Sequence, residues 1–341
     1  MVSVGFILSH EQFSPVDLVK FGQRAEGVGF DMVWTSDHFQ PWMHNQGRSS
    51  NAWITLAALG QQLKKIPMGT GVTCPTYRYH PSIVAQAFAS LGELYPGQVF
   101  LGVGTGEAIN EEAATGQWGE YEERRDRLVE AVELIRQLWT GERVTYEGQF
   151  YRTKDAMLYD LPEQPIPIYI AASGDESMEI AGRYGDGLVS DAATIIKPEM
   201  LSAFKRGARA VGKNPDDMTY HAELFIHVGD RQSAIPVAEK WRFLVKSWDK
   251  YVDIHDPRVI QSEAEKEVEI DEVLEKFLIS DDPQVHIDKI NELAQKGVTH
   301  IYVHSGQEDR ENQEFVIDWY GKNVLPKIDH SLMKAVALET V

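Results

Sequence analysis

The sequence predicts an α/β protein of the (β/α)8 barrel class, with insertions at the C-terminal face of the barrel. Three observations predict it. Eight short apolar, β-branched runs recur along the chain, and segments of helical periodicity separate them. The turn after the first run is Ser9-His10-Glu11-Gln12-Phe13, so the Gly-rich turn that a doubly wound nucleotide-binding sheet needs there is absent. A length of 341 residues suits one such barrel with room for extra segments.

In order, the strands are expected at Val2–Leu8, Met32–Thr35, Met68–Thr73, Val99–Val103, Ile168–Ala171, Gly187–Val189, Tyr220–Val228 and Thr299–His304. The first helix is expected over Ser14–Gly29, opened by a Ser-Pro cap and closed by glycine. Asn51–Lys64 is Ala/Leu-rich, and Pro81–Leu94 carries proline in its first turn. Tyr121–Thr140 sets Leu128, Val132, Ile135 and Leu138 among charges that face water. Two segments exceed ordinary connections. Residues 141–167 contain an alternating aromatic stretch with a Glu-Gly turn, the pattern of a β-hairpin. Residues 232–282 are charged and helical in pattern, with Trp241, Phe243, Trp248 and Tyr251 among them. Insertions of this kind wall or lid a barrel's active face. The expectation is one domain over residues 1–341.

Composition removes several function classes. The 52 acidic against 33 basic residues give a net charge of -19, a field that repels nucleic acid and anionic lipid. No signal peptide and no apolar run of about 20 residues is evident. A single cysteine, Cys74, allows no internal disulfide and no Cys-rich metal site, and fits a reducing cytoplasm. His300 and His304 are the one H-x-x-x-H pair. In a strand they lie roughly 13 Å apart, too far to share a metal. No metal is expected.

Chemistry concentrates at the strand ends. Ser36-Asp37-His38-Phe39-Gln40-Pro41-Trp42 follows the second strand. His38 can exchange a proton near neutral pH, or can be a hydrogen-bonded loop histidine. The Trp42 indole N–H can donate to a developing alkoxide, or the ring can simply pack. After the fourth strand, Gly102-Val-Gly104-Thr105-Gly106-Glu107 lets backbone approach a flat or anionic ligand. Glu107 stands where barrels place catalytic acids, though a helix start also favours a carboxylate there. Glu11, after the first strand, can point into the mouth. Cys74 has no resolving partner and reads as a packing or ligand-lining residue. Ser173-Gly174 opens a helix, either as an anion site or as a plain cap.

Taken together, Ser36–Trp42, Pro75-Thr-Tyr-Arg-Tyr-His-Pro81, Val84–Phe88, Tyr95–Asn110 and Ala181–Gly187 resemble the bacterial luciferase-like family. Within it they resemble the coenzyme F420-dependent glucose-6-phosphate and secondary alcohol dehydrogenases. The resemblance implies a deazaflavin in the barrel mouth, its ring against a bulged third strand with a non-prolyl cis peptide at Gly71–Val72. It implies Asp37, Cys74, Gly104, Thr105, Gly106 and Asn110 around ring and tail, and Ser173 and Gly174 at the phosphate. It assigns His38 as base, Trp42 as stabiliser of the alkoxide-like transition state, Glu107 as proton donor on the cofactor side, and Glu11 as orienting residue. Hydride would pass from the substrate carbon to C5 of F420. A homodimer is the common assembly of the family.

The sugar-phosphate branch grips phosphate with Thr, Lys, Lys and Arg, and this chain departs from that pattern. The ungapped equivalents are Asp191, Thr194, Tyr251 and Lys276, with Lys197 and Lys250 close enough to substitute. A carboxylate opposes a phosphate dianion, and lysine lacks bidentate arginine geometry. A sugar or sugar-phosphate hydroxyl stays the first expectation and a secondary alcohol the second. The other classes are an FMN-dependent luciferase-like monooxygenase, a barrel hydrolase using Glu107 with a second carboxylate, and a flavin binder without activity.

Overall fold

The computed structural model describes residues 2–329. Residues 330–341, which the one-domain expectation includes, lie outside the described residues. Strands β1 (Ser3–Leu8), β2 (Met32–Thr35), β3 (Met68–Thr70) and β4 (Val99–Val103) come first. The hairpin β5 (Val144–Glu147) and β6 (Arg152–Ala156) follows, then β7 (Ile168–Ala171), β8 (Gly187–Asp191), β9 (Thr219–His227), β10 (Leu278–Ile279) and β11 (His300–His304). The parallel order is β9-β11-β1-β2-β3-β4-β7-β8, and pairing of β8 with β9 closes the ring. All eight expected barrel strands are present. β10 adds outside the ring on β9, and its two residues are too few for the sequence to mark.

Local chemistry sets the helices. In Pro15–Val28, the Ser14 side chain accepts from Asp17 N–H, and proline occupies the first turn. Gly29 ends the helix at φ 105°, a conformation that glycine takes without a Cβ clash. Leu18, Phe21, Gly22 and Ala25 are the buried stripe, at the i, i+3, i+4, i+7 spacing of one helical face. Emptying the Phe21 site by Phe21→Ala would cost about 3–5 kcal/mol. The helices Pro81–Leu94 and Tyr121–Leu138 fall as the periodicity places them.

Alternation along the strands divides two cores. Val4, Phe6, Leu8 and Val33 face outward into the layer between strands and helices. Ile7, Met32, Trp34, Phe100, Val189 and Tyr302 face inward and fill the barrel. Trp34 stacks on Tyr302 at 3.8 Å, and His221 stacks on His300 at 4.3 Å. The barrel interior is therefore a packed core, and chemistry in this fold belongs to the strand ends above it.

β3 stops at Thr70, three residues short of the expected Thr73. The peptide Gly71–Val72 is cis, and Gly71 lies flat on the Trp34 ring, where a Cβ would sit 2.6 Å from its nearest carbon. Pairing resumes only as the Thr73–Val103 bridge.

The two insertions behave differently. The hairpin lies along helix Tyr121–Leu138, whose Glu130 carboxylate accepts the N–H groups of Gln149, Phe150 and Tyr151. Its tip reaches the β3 loop, where the Tyr151 hydroxyl lies 2.7 Å from the Thr76 carbonyl. The segment after β9 is less helical than expected. It forms Arg231–Glu239, Pro257–Glu267 and Ile270–Leu274, with short 3-10 turns between them. Its apolar face packs on Trp42, Met43 and Ile109, so it walls the loops after β2 and β4.

Candidate active site

Three strand ends bring the central residues together. β1 runs into Glu11, β2 into His38 and Trp42, and β4 into Glu107 and Asn110. The His38 Nε2 lies 3.3 Å from Glu11 Oε1, and its Nδ1 lies 3.0 Å from Asn110 Nδ2. Asn110 Nδ2 also donates to Glu107 Oε2 at 2.8 Å. Its carbonyl oxygen accepts the Phe39 N–H at 2.8 Å. Glu11 is held in turn by the Ser36 hydroxyl, 2.7 Å from its other oxygen. The result is one chain of polar contacts, Glu11–His38–Asn110–Glu107, with every member half-buried or buried.

Aromatic rings close one side. Trp42 stacks on Phe243 at 4.7 Å and meets the edge of Trp248 at 6.1 Å, and its ring centre is 6.1 Å from that of His38. Trp248 and Phe39 keep about half their surface open to solvent, at 58% and 50% exposure. The insertion is pinned to the glycine turn, where Ala108 N–H donates to the Val252 carbonyl at 2.9 Å.

A buried ionic cluster fixes the β2 and β3 loops beneath these residues. Asp37 accepts from the Thr73 hydroxyl at 2.7 Å and pairs with Arg78 at 3.3 Å. The Arg78 guanidinium also donates to the Asp37 carbonyl at 3.0 Å and faces Glu111 at 3.6 Å. Glu111 accepts the backbone N–H of Tyr77 and of Arg78. Burial pushes the Glu111 carboxyl above the usual carboxylate range against the pull of those donors. Burial, with the nearby Glu107 and Glu111 charges, likewise pushes the Cys74 thiol well up. That removes nucleophilic character from Cys74.

The remaining expected residues fall in two groups. Gly104 faces Val72, Ala171 and Cys74, and a Cβ there would stand 2.8 Å from Val72. Gly106 takes φ 90° in the same turn, next to half-buried Thr105. Ser173 and Gly174 stand exposed before helix Asp175–Tyr184, and the Ser177 hydroxyl accepts the Gly174 N–H at 3.0 Å. The acidic residues of that first turn are paired, Asp175 with Arg206 and Glu176 with Arg125. Lys250 is held by Glu263 at 2.9 Å and Glu267 at 2.8 Å, and Tyr251 is fully buried. Asp191 caps a short helix by accepting the N–H groups of Ala193 and Thr194. Lys197 and Lys276 are exposed.

Sequence reasoning left Ser36, Thr73, Arg78 and Glu111 without a role. It also saw Asn110 only as a ligand-lining residue. Their partners are 25 to 72 positions away, and no local spacing reports such contacts. Arg78, between two prolines in a strand-end loop, was the one findable cue.

Comparison with known proteins places these residues in a family. The luciferase-like monooxygenase family matches residues 2–300, and the chain belongs to that family. It is 48% identical over 325 residues to an F420-dependent hydroxymycolic acid dehydrogenase of Mycobacterium tuberculosis (strain ATCC 25618 / H37Rv), covering 95% of this chain and 88% of that one. It is 40% identical to an F420-dependent glucose-6-phosphate dehydrogenase of Microbacterium testaceum (strain StLB037), covering 95% and 96%. Among solved structures, an F420-dependent secondary alcohol dehydrogenase in complex with an F420-acetone adduct superposes with a TM-score of 0.89 at 34% identity, covering 96% and 100%.

Proposed function

We propose that this chain is an F420-dependent dehydrogenase that oxidises the hydroxyl of a small-molecule substrate to a carbonyl. The observation that carries the reading is the Glu11–His38–Asn110–Glu107 chain beside Trp42, at the ends of three barrel strands. It offers a base, an acid and a donor in one cluster, in a fold whose chemistry sits at that face.

The residues present suit a deazaflavin. Glycines 71, 102 and 104 let the Trp34 ring, the Thr70 carbonyl and Val72 approach closer than a Cβ would allow, which draws the ends of β3 and β4 together where a flat ring would lie. The exposed helix start at Ser173-Gly174, its first-turn carboxylates neutralised by Arg125 and Arg206, suits the phosphate. Asp37, Gly71, Val72, Cys74, Gly104, Thr105, Gly106, Asn110, Ser173 and Gly174 would hold the group. When bound, F420 supplies a two-electron acceptor that takes hydride at C5.

The side chains manage the proton. His38 takes the substrate hydroxyl proton as the carbon gives up its hydride, and Glu11 stabilises the resulting imidazolium through Nε2. The Trp42 indole N–H would donate to the developing alkoxide. Glu107 supplies the proton needed on the cofactor side. The packed insertion over Trp42 keeps water from the reacting atoms.

For the substrate, we favour an uncharged secondary alcohol with an apolar flank. Of the phosphate-gripping candidates, Lys250 is committed to two carboxylates and Tyr251 is buried. Asp191 sits where a phosphate would meet the helix N–H groups of Ala193 and Thr194. Thr194, Lys197 and Lys276 alone are a weak anion grip. Trp42, Phe243 and Trp248 instead offer an aromatic wall. A cytoplasmic homodimer completes the reading. The single cysteine supports the compartment, and sedimentation of the purified protein tests the assembly.

The test is a panel of isopropanol, longer secondary alcohols, glucose and glucose 6-phosphate, read as loss of the oxidised F420 chromophore. Secondary alcohols are expected to turn over best. Preference for glucose 6-phosphate would overturn the substrate reading, and failure to bind F420 while binding FMN would overturn the cofactor.

A further inference from the structure

The Asn110 carboxamide does more than line a ligand site. It has two partners besides His38. The oxygen accepts the Phe39 N–H at 2.8 Å, and the nitrogen donates to a Glu107 carboxylate oxygen at 2.8 Å. The Phe39 backbone N–H can only donate, so reversing the amide would set two donors against each other, whatever the protonation of Glu107. With the amide so placed, the atom facing His38 Nδ1 at 3.0 Å is an N–H donor. Nδ1 must then carry the lone pair, and the imidazole proton sits on Nε2, toward the Glu11 carboxylate at 3.3 Å. Asn110 is fully buried, so water cannot substitute for any of these partners.

From this arrangement we infer that Asn110 is a positioning residue, which fixes His38 in its Nε2–H tautomer and joins its basic nitrogen to Glu107 through one carboxamide. The inference rests on His38 as the proton acceptor, and it assigns Nδ1 as the accepting atom. Nδ1 has one lone pair, so the Asn110 N–H must turn away before the substrate proton can be accepted there, and the protonated Nδ1 then repels it. The same turn gives up the hydrogen bond from Asn110 to Glu107. Protonation of the base thus frees the acid. The proton lost by the substrate hydroxyl is the one gained at Nδ1, so nothing else need be supplied. The charged and titratable groups around His38 are Glu11, His10, Asp37 and, across the amide, Glu107.

The test starts with cofactor-free protein labelled with 15N-histidine, the His38 resonances being assigned by their loss in His38→Gln. A bare Nδ1 and a protonated Nε2 are expected in the wild type. In Asn110→Asp, the new carboxylate can still accept the Phe39 N–H but also accepts from Nδ1, so Nδ1 should become protonated. The acid limb of the pH–rate profile with F420 and an alcohol should move to higher pH. Asn110→Ala should lower kcat by about 10-fold or more with KM for the alcohol little changed. A protonated Nδ1 in the wild type overturns the inference. So does an Asn110→Asp variant with unchanged tautomer and pH profile, a result that a purely structural or cofactor-lining role would give. Full turnover in His38→Gln would instead remove His38 as the base, while the tautomer result would stand on its own.

Discussion

The two ends of the barrel interior both hold histidines, and treat them in opposite ways. At the base, His221 is wedged between Tyr169 at 4.0 Å and His300 at 4.3 Å, below the Trp34–Tyr302 stack. Its Nδ1 has no hydrogen-bond partner among the described residues, and no carboxylate acts on it there. At the mouth, both nitrogens of His38 have partners, one of them a carboxylate. Burial lowers His221 far below the ordinary imidazole value and takes His300 to about 4. A histidine in an apolar layer is a flat packing ring that must stay neutral. The same side chain in a polar chain can carry a proton. What separates structure from chemistry here is the set of neighbours.

That contrast can be broken most severely at the mouth. Arg78→Met would leave Asp37 and Glu111 as buried carboxylates without their shared cation, and should cost about 3–5 kcal/mol of stability. Urea unfolding of wild type and variant measures it. A cost within error of a surface change would mean that the cluster is not held as a unit.

Next in size is the base itself. His38→Ala should keep F420 binding, read by fluorescence quenching, and lose turnover by about 100-fold or more. The corresponding change at the base of the barrel, His221→Phe, should leave kcat nearly untouched.

Acid stability sharpens the comparison from the other end. His221 and His300 bind protons more weakly in the folded chain than in the unfolded one, whose ordinary value is 6.5. Their contribution is complete above that pH. As pH falls below it, the unfolded state takes up protons first, and stability should drop by about 1.4 kcal/mol per pH unit for each group. Denaturant midpoints between pH 7 and 4 test this. His221→Phe should flatten the slope, and an unchanged slope would assign acid lability elsewhere.

The smallest effect is expected at the rim. Trp248→Ala removes an exposed ring that touches Trp42 by its edge. For an apolar secondary alcohol it should raise KM by roughly 2–10-fold, the worth of one aromatic contact, with kcat preserved. No change for any alcohol would place the substrate away from this wall.

Much of the frame was legible in the chain. The β-branched runs mark every barrel strand because strands buried on both faces must be continuously apolar. Ser14 and Gly29 mark a helix's two ends because capping is local. The position of His38 after β2 and of Glu107 after β4 was equally legible, since strand ends are local features. The loss of Lys250 to Glu263 and Glu267 was not, because a lysine's availability depends on which carboxylates the fold brings near it.

By itself, then, the sequence determined the periodic pattern, the caps, the strand-end positions of Glu11, His38, Trp42 and Glu107, and a strongly acidic net charge. Only the tertiary structure decided how those strand ends meet. The parallel pairing of β1, β2, β3 and β4 in that order brings residues 27 and 72 positions apart onto the two nitrogens of one imidazole. It also turned Asn110 from one small polar residue after a glycine turn into the link between His38 and Glu107. A hydrogen bond across a barrel mouth is fixed by where strands end in space, and no spacing along the chain encodes that distance.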